Sequence, residues 1–226
     1  MKKILVLSSG SMHGGGTTLS LLLNKVRTGE IPVSVEAIVT HFADGGVARI
    51  AKQNDIQLYV ADMLFSKTQM YEFFANIMLD VAPDYVFVLG WNTPVAGIGR
   101  PVISVHHGPL PQTEDCASDA IHVKVKELGL TQSCFVVHYV DPDGARGPHI
   151  YTSPWIPVKN KDAKTIGTLV RESAAEIVPI ILNLVVTEHI KRKNGTTYMD
   201  VYAQQKLHPF AIQQQRRVDE DNSEAE

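Results

Sequence analysis

Two histidines stand side by side in ISVHHGPLP, residues 103–111, where an apolar run gives way to a glycine and two prolines. An imidazole exchanges protons near neutral pH and, once charged, stabilises a developing oxyanion. If the apolar run is a strand, Val102, Ser104 and His106 share one face and His107 points to the other. A hydroxyl and an imidazole two residues apart on one face suit acyl chemistry. The same pair also suits a hydrogen-bonded turn with no chemical duty. A second candidate is SSGSMHGGGTT, residues 8–18, a glycine- and serine-rich loop ahead of the helical pattern TTLSLLLNKV. Its backbone amides and the helix dipole favour a phosphate or carboxylate near Ser11, Gly16, Thr17 and Thr18. No Gly-Lys-Thr/Ser and no GxGxxG spacing occurs there, so it is neither a Walker loop nor a dinucleotide fingerprint.

The elements that must carry these loops follow from hydrophobic patterning. KKILVLSS, VSVEAIVT, QLYVAD, YVFVLG and VISVHH are short β-rich bursts. Helical patterns at TTLSLLLNKV, GGVARIAKQND and residues 66–81, the last stopped by Pro83, alternate with them. Runs apolar on both faces indicate a parallel sheet covered by helices on both sides, a doubly wound α/β domain. In such sheets ligands bind beyond the carboxyl ends of the strands, where the 8–18 loop, GWNTP and HHGPLP all fall. Later, SCFVVHYVD and HIYTSPWIPV are expected as longer strands joined by PDGARGP, with no obvious helix between them. Asp162 is a plausible N-cap for a long helix that Pro179 should bend or whose last turns it should mark. HIKRKNGTTYMDVYA reads as a hairpin turning on Asn194-Gly195. The sheet is expected to begin parallel and finish mixed.

The 226 residues suit one large α/β domain, and a 44% hydrophobic, 20% charged composition builds an ordinary core. A net charge of −3 argues against a nucleic-acid field. The apolar ILVL near the start is shorter than a signal-peptide core, and no run approaches the ~20 apolar residues of a membrane span. Two cysteines, Cys116 and Cys134, make no disulfide framework and fit a reducing, cytoplasmic setting. A nucleophile pair of Cys116 with His106 is the weaker reading of a polar loop. His106, His107, His122 and His138 have no compact ligand spacing, so no metal is expected. The end, RRVDEDNSEAE, reads as a solvated tail.

The order of motifs then resembles a family. The folate-dependent formyltransferases begin KIxVLxSGxGSNLxAL, continue with a segment like PDYVFVLGW, and turn at Asn-Ile-His before Leu-Pro; here that turn is Ser104-Val105-His106, ending at Pro111. Their Val-His-Phe-Val-Asp strand and Asp-Thr-Gly-Pro loop correspond to Val137–Asp141 and Ala145-Arg146-Gly147-Pro148. The resemblance covers roughly residues 2–203 and is nearest to the branch acting on phosphoribosylglycinamide.

It implies a Rossmann-like formyltransferase fold in a single domain, residues 1–204. Residues 1–100 would form a phosphate-binding half and 101–204 a folate and catalytic half, followed by a disordered tail, 205–226. It implies formyl transfer from 10-formyltetrahydrofolate to the amine of a small phosphorylated substrate, by default glycinamide ribonucleotide, in a monomer or homodimer with no nucleic-acid or membrane partner. In the family an Asn, a His and an Asp surround the formyl carbon. His106 is retained, but the Asn falls on Ser104 and the Asp on Ala145, with Asp143 the nearest acid able to take that role. A substrate-contacting glutamate falls near Ala174, with Glu172 two residues earlier, and Pro109 belongs to the same substrate set. Leu89, Gly90, Trp91, Asn92 and Val95 should line the pterin pocket, closed by Val140, Asp141 and Ala145. The phosphate loop is about four residues longer than the family's, and QTEDCAS after Pro111 is also expanded. Losing one oxyanion donor costs about 2.7–4 kcal/mol. A catalytically impaired ligand-binding or regulatory relative, and a formyl-folate hydrolase, therefore stay open beside the transferase.

Overall fold

The computed structural model describes residues 1–210 other than Gly14, Asn92, Pro94 and Ala96. Its main sheet has seven strands in the order β3-β2-β1-β4-β5-β7-β8. Five of them, β1 (Lys2–Leu7), β2 (Val33–Thr40), β3 (Gln57–Val60), β4 (Tyr85–Val88) and β5 (Val102–His106), pair in parallel. The strands β7 (Val136–Val140) and β8 (Arg146–Thr152) are joined by five residues, too few for a parallel crossover, so the sheet ends antiparallel. This is the expected α/β architecture, parallel and then mixed. The expected neighbours YVFVLG and VISVHH do pair, Val88 opposite Ser104, and neither lies at an edge. The edges are β3 and β8, and Pro148 sits on β8, where a missing N–H is tolerated.

The chain divides into two compact units, residues 1–105 with 138–148, and 106–137 with 149–226. In the first, α1 (Thr17–Arg27), α2 (Gly46–Gln53) and α3 (Lys67–Val81) connect the strands. Ser66 and Gln69 form a reciprocal capping box at the start of α3, which ends at Ala82 in a left-handed conformation (φ 46°) immediately before Pro83. Met70, Phe74, Ile77 and Val81 of α3 pack on Leu5, Leu7, Val86, Val88 and Val102 of the sheet, together with Trp91 and Val95 from the following loop.

The second unit departs from expectation. The helix α4 (Ala120–Glu127) had no counterpart in the sequence reading. Ile121, Val123 and Val125 alternate as in a strand, yet the buried positions are Ile121, His122 and Val125, a helical face on which one residue is polar. SCFVVHYVD is not one strand: β6 (Gln132–Ser133) pairs antiparallel with β9 (Ile156–Pro157) in a separate ribbon, and β7 begins only at Val136. HIYTSPWIPV breaks likewise at Ser153-Pro154-Trp155, where the Ser153 hydroxyl accepts from the Phe135 amide at 3.0 Å.

Asp162 caps α5 (Ala163–Val186) by accepting from the Thr165 amide at 2.7 Å. Pro179 marks the last two turns of that helix, which runs seven residues further. A helical proline costs about 3 kcal/mol, and burying Ile177, Val178, Ile181, Leu182, Leu184, Val185 and Val186 offsets it at ~1.5–3 kcal/mol each. The hairpin of β10 (Ile190–Lys193) and β11 (Thr196–Met199) turns on Asn194 and Gly195, both at positive φ. Residues 201–210 are helical; residues 211–226 lie outside those described.

Candidate functional site

The glycine-rich loop leaves β1 tied to the sheet. The Ser8 hydroxyl donates to the Leu89 carbonyl at 2.9 Å, the Ser9 amide to Gly90 at 2.8 Å, and the Thr40 hydroxyl to Ser9 at 2.9 Å. The Ser11 carbonyl accepts from the Gly46 amide at the start of α2, 3.1 Å away. Gly16 caps α1 at φ 87° with no side-chain cap, and a Cβ there would lie 2.6 Å from Ile50 Cδ1. Ser11, Gly16, Thr17 and Thr18 thus run along the N-termini of α1 and α2, with Ser11 and Thr17 exposed and Gly16 and Thr18 partly so.

Residues expected around the pterin come together in the same unit. Leu89, Trp91 and Val95 are buried, and Val140 packs on the cluster that holds Trp91 and Val95. The Gly97 amide donates to the Pro142 carbonyl at 3.0 Å, tethering the 89–97 loop to the 140–145 loop. Gly90 adopts φ 80°. Asn92 lies outside the described residues. His41, just after β2, stacks on Trp91 with ring centroids 4.0 Å apart, and its Nδ1 meets the Ala61 carbonyl at 3.0 Å. A carbonyl only accepts, so Nδ1 carries the hydrogen and Nε2 of the neutral ring is an acceptor. That Nε2, the Trp91 Nε1–H and the Thr93 hydroxyl are all buried without a protein hydrogen-bond partner. Sequence reasoning missed His41, whose signal is its place at the carboxyl end of a buried parallel strand.

In the connecting loop the Asp143 carboxylate accepts from the Ala145 amide at 2.9 Å, an Asx turn on an exposed stretch, with Gly144 at φ 88°. Asp141 lies against Gly147, where a Cβ would come within 2.8 Å of its Oδ1. Ser104 and His106 alternate on β5, both partly buried.

In the second unit His106 Nε2 lies 2.9 Å from the Thr113 hydroxyl, which lies 2.8 Å from the Pro109 carbonyl. Thr113 was not singled out from sequence, since nothing in PLPQTED marks it. His107 is a neutral ring: burial, then the nearby His122, Arg171 and His106, push its pKa down to about 3. His122, only 2% exposed, is held at about 4, chiefly by burial and then by Arg171, with Asp119 opposing. The Arg171 guanidinium bonds Asp119 at 2.9 Å and reaches His122 Nε2 at 3.4 Å. Gly167 makes room for this approach, because a Cβ there would stand 2.6 Å from the His122 ring. Glu172 is exposed, whereas Ala174 is fully buried about 200° round α5, so Glu172 cannot occupy the place of residue 174. Burial pushes the Cys134 thiol up to about 11, far from a reactive thiolate. Among the described residues no group of three His, Cys, Asp or Glu side chains is placed to hold a metal ion, and no helix is long and apolar enough to cross a membrane.

No family model matches the chain. The phosphoribosylglycinamide formyltransferase of Haemophilus influenzae is 23% identical over 209 residues, covering 88% of this chain and 94% of that protein. The crystal structure of glycinamide ribonucleotide transformylase 1 from Symbiobacterium toebii superposes with a TM-score of 0.76 at 22% identity, covering 88% of this chain and 95% of that one. A formyltetrahydrofolate deformylase from Pseudomonas syringae pv. tomato gives a TM-score of 0.74 at 16% identity, over 88% of this chain and 66% of that one. The fold is that of the formyltransferases, and the chain is similar to phosphoribosylglycinamide formyltransferases at low identity.

Proposed function

We propose that this protein transfers the formyl group of 10-formyltetrahydrofolate to the amine of a small phosphorylated substrate, with glycinamide ribonucleotide the default acceptor, in the cytoplasm. The observation that carries the reading is the paired loop at 89–97 and 140–145. Its apolar floor of Leu89, Trp91, Val95 and Val140 lies among buried polar atoms of His41, Trp91 and Thr93 that lack protein partners. Buried polar atoms are ordinarily paired, and an apolar pocket with a few convergent donors and acceptors suits a fused heterocycle with a polar edge. Leu89, Gly90, Trp91, Val95, Val140, Asp141 and Ala145 would hold the pterin. Ser11, Gly16, Thr17 and Thr18 would hold the acceptor's phosphate at the α1 N-terminus, with Pro109 beside the acceptor.

Attack of the amine on the formyl carbon makes a tetrahedral centre whose oxygen becomes negative; its collapse breaks the bond to the folate nitrogen, which leaves with the proton that the attacking amine gives up. His106, charged, donates to that oxyanion, and Ser104 on the same face of β5 is a shorter second donor. Asp143, one oxygen already committed to the Ala145 amide, is the acid nearest in sequence to residue 145 and would take the proton-relay role.

Purified protein mixed with a 10-formyl folate and glycinamide ribonucleotide, followed by folate absorbance and by the mass of the acceptor, tests this. Formyl gain on the amine supports the transferase. Formate release without an amine supports the hydrolase, the reading favoured by the likeness to a deformylase. Folate binding by calorimetry with neither reaction identifies a ligand-binding relative.

A further inference from the structure

The Thr113 hydroxyl has one hydrogen and two neighbours, His106 Nε2 at 2.9 Å and the Pro109 carbonyl oxygen at 2.8 Å. The carbonyl can only accept, so the hydroxyl hydrogen is committed to Pro109. The hydroxyl therefore faces the imidazole with a lone pair, and the hydrogen of that second bond comes from the ring. We infer that Thr113 is a positioning residue for His106, holding its neutral imidazole as the Nε2–H tautomer and making Nδ1 the nitrogen that exchanges protons. The use of this tautomer in formyl transfer rests on the function proposed above; the tautomer itself does not.

The surroundings make the device rigid. Thr113 is fully buried, and its own amide donates to the same Pro109 carbonyl at 3.1 Å. Gly108 closes the space between strand end and hydroxyl, since a Cβ there would lie 2.6 Å from Thr113 Oγ1 and 2.4 Å from Ile121 Cγ2. Water therefore has little room to compete for the hydroxyl, and a hydrogen bond in such a site keeps its direction. When Nδ1 takes a proton, the Nε2–H bond stays in place and the Pro109 carbonyl dipole, relayed through the hydroxyl, faces the new charge. The ring need not turn. In many histidine sites a carboxylate sets the tautomer; here the partner of Nε2 is a neutral hydroxyl backed by a carbonyl.

The experiment is nitrogen–proton correlation spectroscopy of the histidine rings in the full-length, 15N-labelled protein near neutral pH, with His106→Gln used for assignment. The unaltered protein should show Nε2 protonated and Nδ1 bare of hydrogen. Thr113→Val, of equal shape, should give a mixture of the two tautomers, and Thr113→Ser should restore one. In the transfer assay the valine variant should lose roughly 10- to 100-fold in kcat at nearly constant KM. A wild-type ring protonated on Nδ1, or a valine variant still in the single Nε2–H form, overturns the inference. If Thr113→Val does not fold, the spectra of the unaltered and serine proteins decide it. No turnover alongside the expected spectra would remove the proposed function and leave the role of Thr113 standing.

Discussion

In the first unit, His41 Nε2, Trp91 Nε1 and Thr93 Oγ1 are buried without protein partners, and two of the three belong to one loop. In the second, His106, Thr113 and Pro109 answer one another, as do His122, Arg171 and Asp119. In the proposed function a ligand completes the polar edges that the first arrangement leaves. The second pairs His106 with Thr113 and His122 with Arg171, which fixes ring orientation before any ligand arrives, although His122 Nδ1, Ser133 Oγ and Tyr151 OH are also buried there without protein partners. The proposed function puts binding and proton chemistry in different parts of the chain, and each can be disturbed while the other is watched.

The largest separation is expected from His106→Ala. Turnover should fall roughly 10²- to 10⁴-fold, the usual worth of a positioned acid or base. Calorimetric affinity for a non-reactive folate should stay unchanged, because the loops proposed to bind it lie in the first unit. A variant that keeps its rate removes His106 from the chemistry. One that loses folate affinity as well breaks the division of labour.

Next in size is an acid effect carried by two histidines of the second unit. His122 titrates at about 4 in the folded protein against an ordinary 6.5, and His107 at about 3, both mainly because burial disfavours the charged ring. The unfolded chain takes these protons first. The stabilisation is therefore complete above pH 6.5 and is lost as pH falls from 6.5 towards 4. For His122 alone this amounts to about 3 kcal/mol. Urea midpoints at pH 7 and pH 4 measure it, and His122→Gln should remove much of the difference. An unchanged pH dependence in that variant would mean that other groups drive acid unfolding.

The same division explains what could be read in advance. In the first unit β1 and β4 are buried along most of their length, so each reads as a nearly continuous apolar run, and β2 coincides with VSVEAIVT although Ser34 and Glu36 interrupt it. In the second unit, α4 hides because His122 occupies a core-facing position that pattern reading scores as polar. The strands from 132 to 157 break where Ser153 supplies a side-chain oxygen in place of a backbone partner, a substitution that propensity cannot register. The site divides likewise. Ser104, His106, His41 and the 89–97 segment are marked by strand ends, whereas Thr113 meets His106 through a contact made only in three dimensions. Glu172 looked like a substitute for residue 174 by numbering, and helix geometry turns it to solvent.

A smaller effect probes the glycine-rich loop. Gly16→Ala places a side chain at φ 87° against Ile50, while Gly29→Ala at φ 77° meets open space. Both carry the left-handed backbone cost, so Gly16→Ala should destabilise by about 1–3 kcal/mol and Gly29→Ala by the lower end of that range. Only Gly16→Ala should also weaken binding of the phosphorylated acceptor. Equal loss of binding in both would detach the anion site from the α1 N-terminus.

The smallest effect compares one helix cap from each unit. At Ser66 the hydroxyl accepts from the Gln69 amide at 3.3 Å, and the Gln69 side chain accepts from the Ser66 amide at 2.9 Å. Ser66→Ala removes the longer of the two bonds and should cost about 1 kcal/mol, whereas Ser66→Gly should cost only a few tenths, since glycine suits an N-cap. At Asp162 the acceptor is a carboxylate 2.7 Å from the Thr165 amide, and hydrogen bonds from the Thr165 amide and hydroxyl hold its pKa below the usual carboxylate range. A charged acceptor at a helix N-terminus also meets the favourable end of the macrodipole. Asp162→Ala should therefore destabilise more than Ser66→Ala at pH 7, and Asp162→Asn less than either, because asparagine caps nearly as well as aspartate. The Asp162 contribution is present above the ordinary carboxylate pKa and lost as pH falls through the depressed value, while that of Ser66 does not titrate. Urea unfolding of the four variants at pH 7 ranks them. Were Ser66→Ala the costlier of the two alanine changes, the bond lengths would not be ordering these caps, and local helix propensity would have to be.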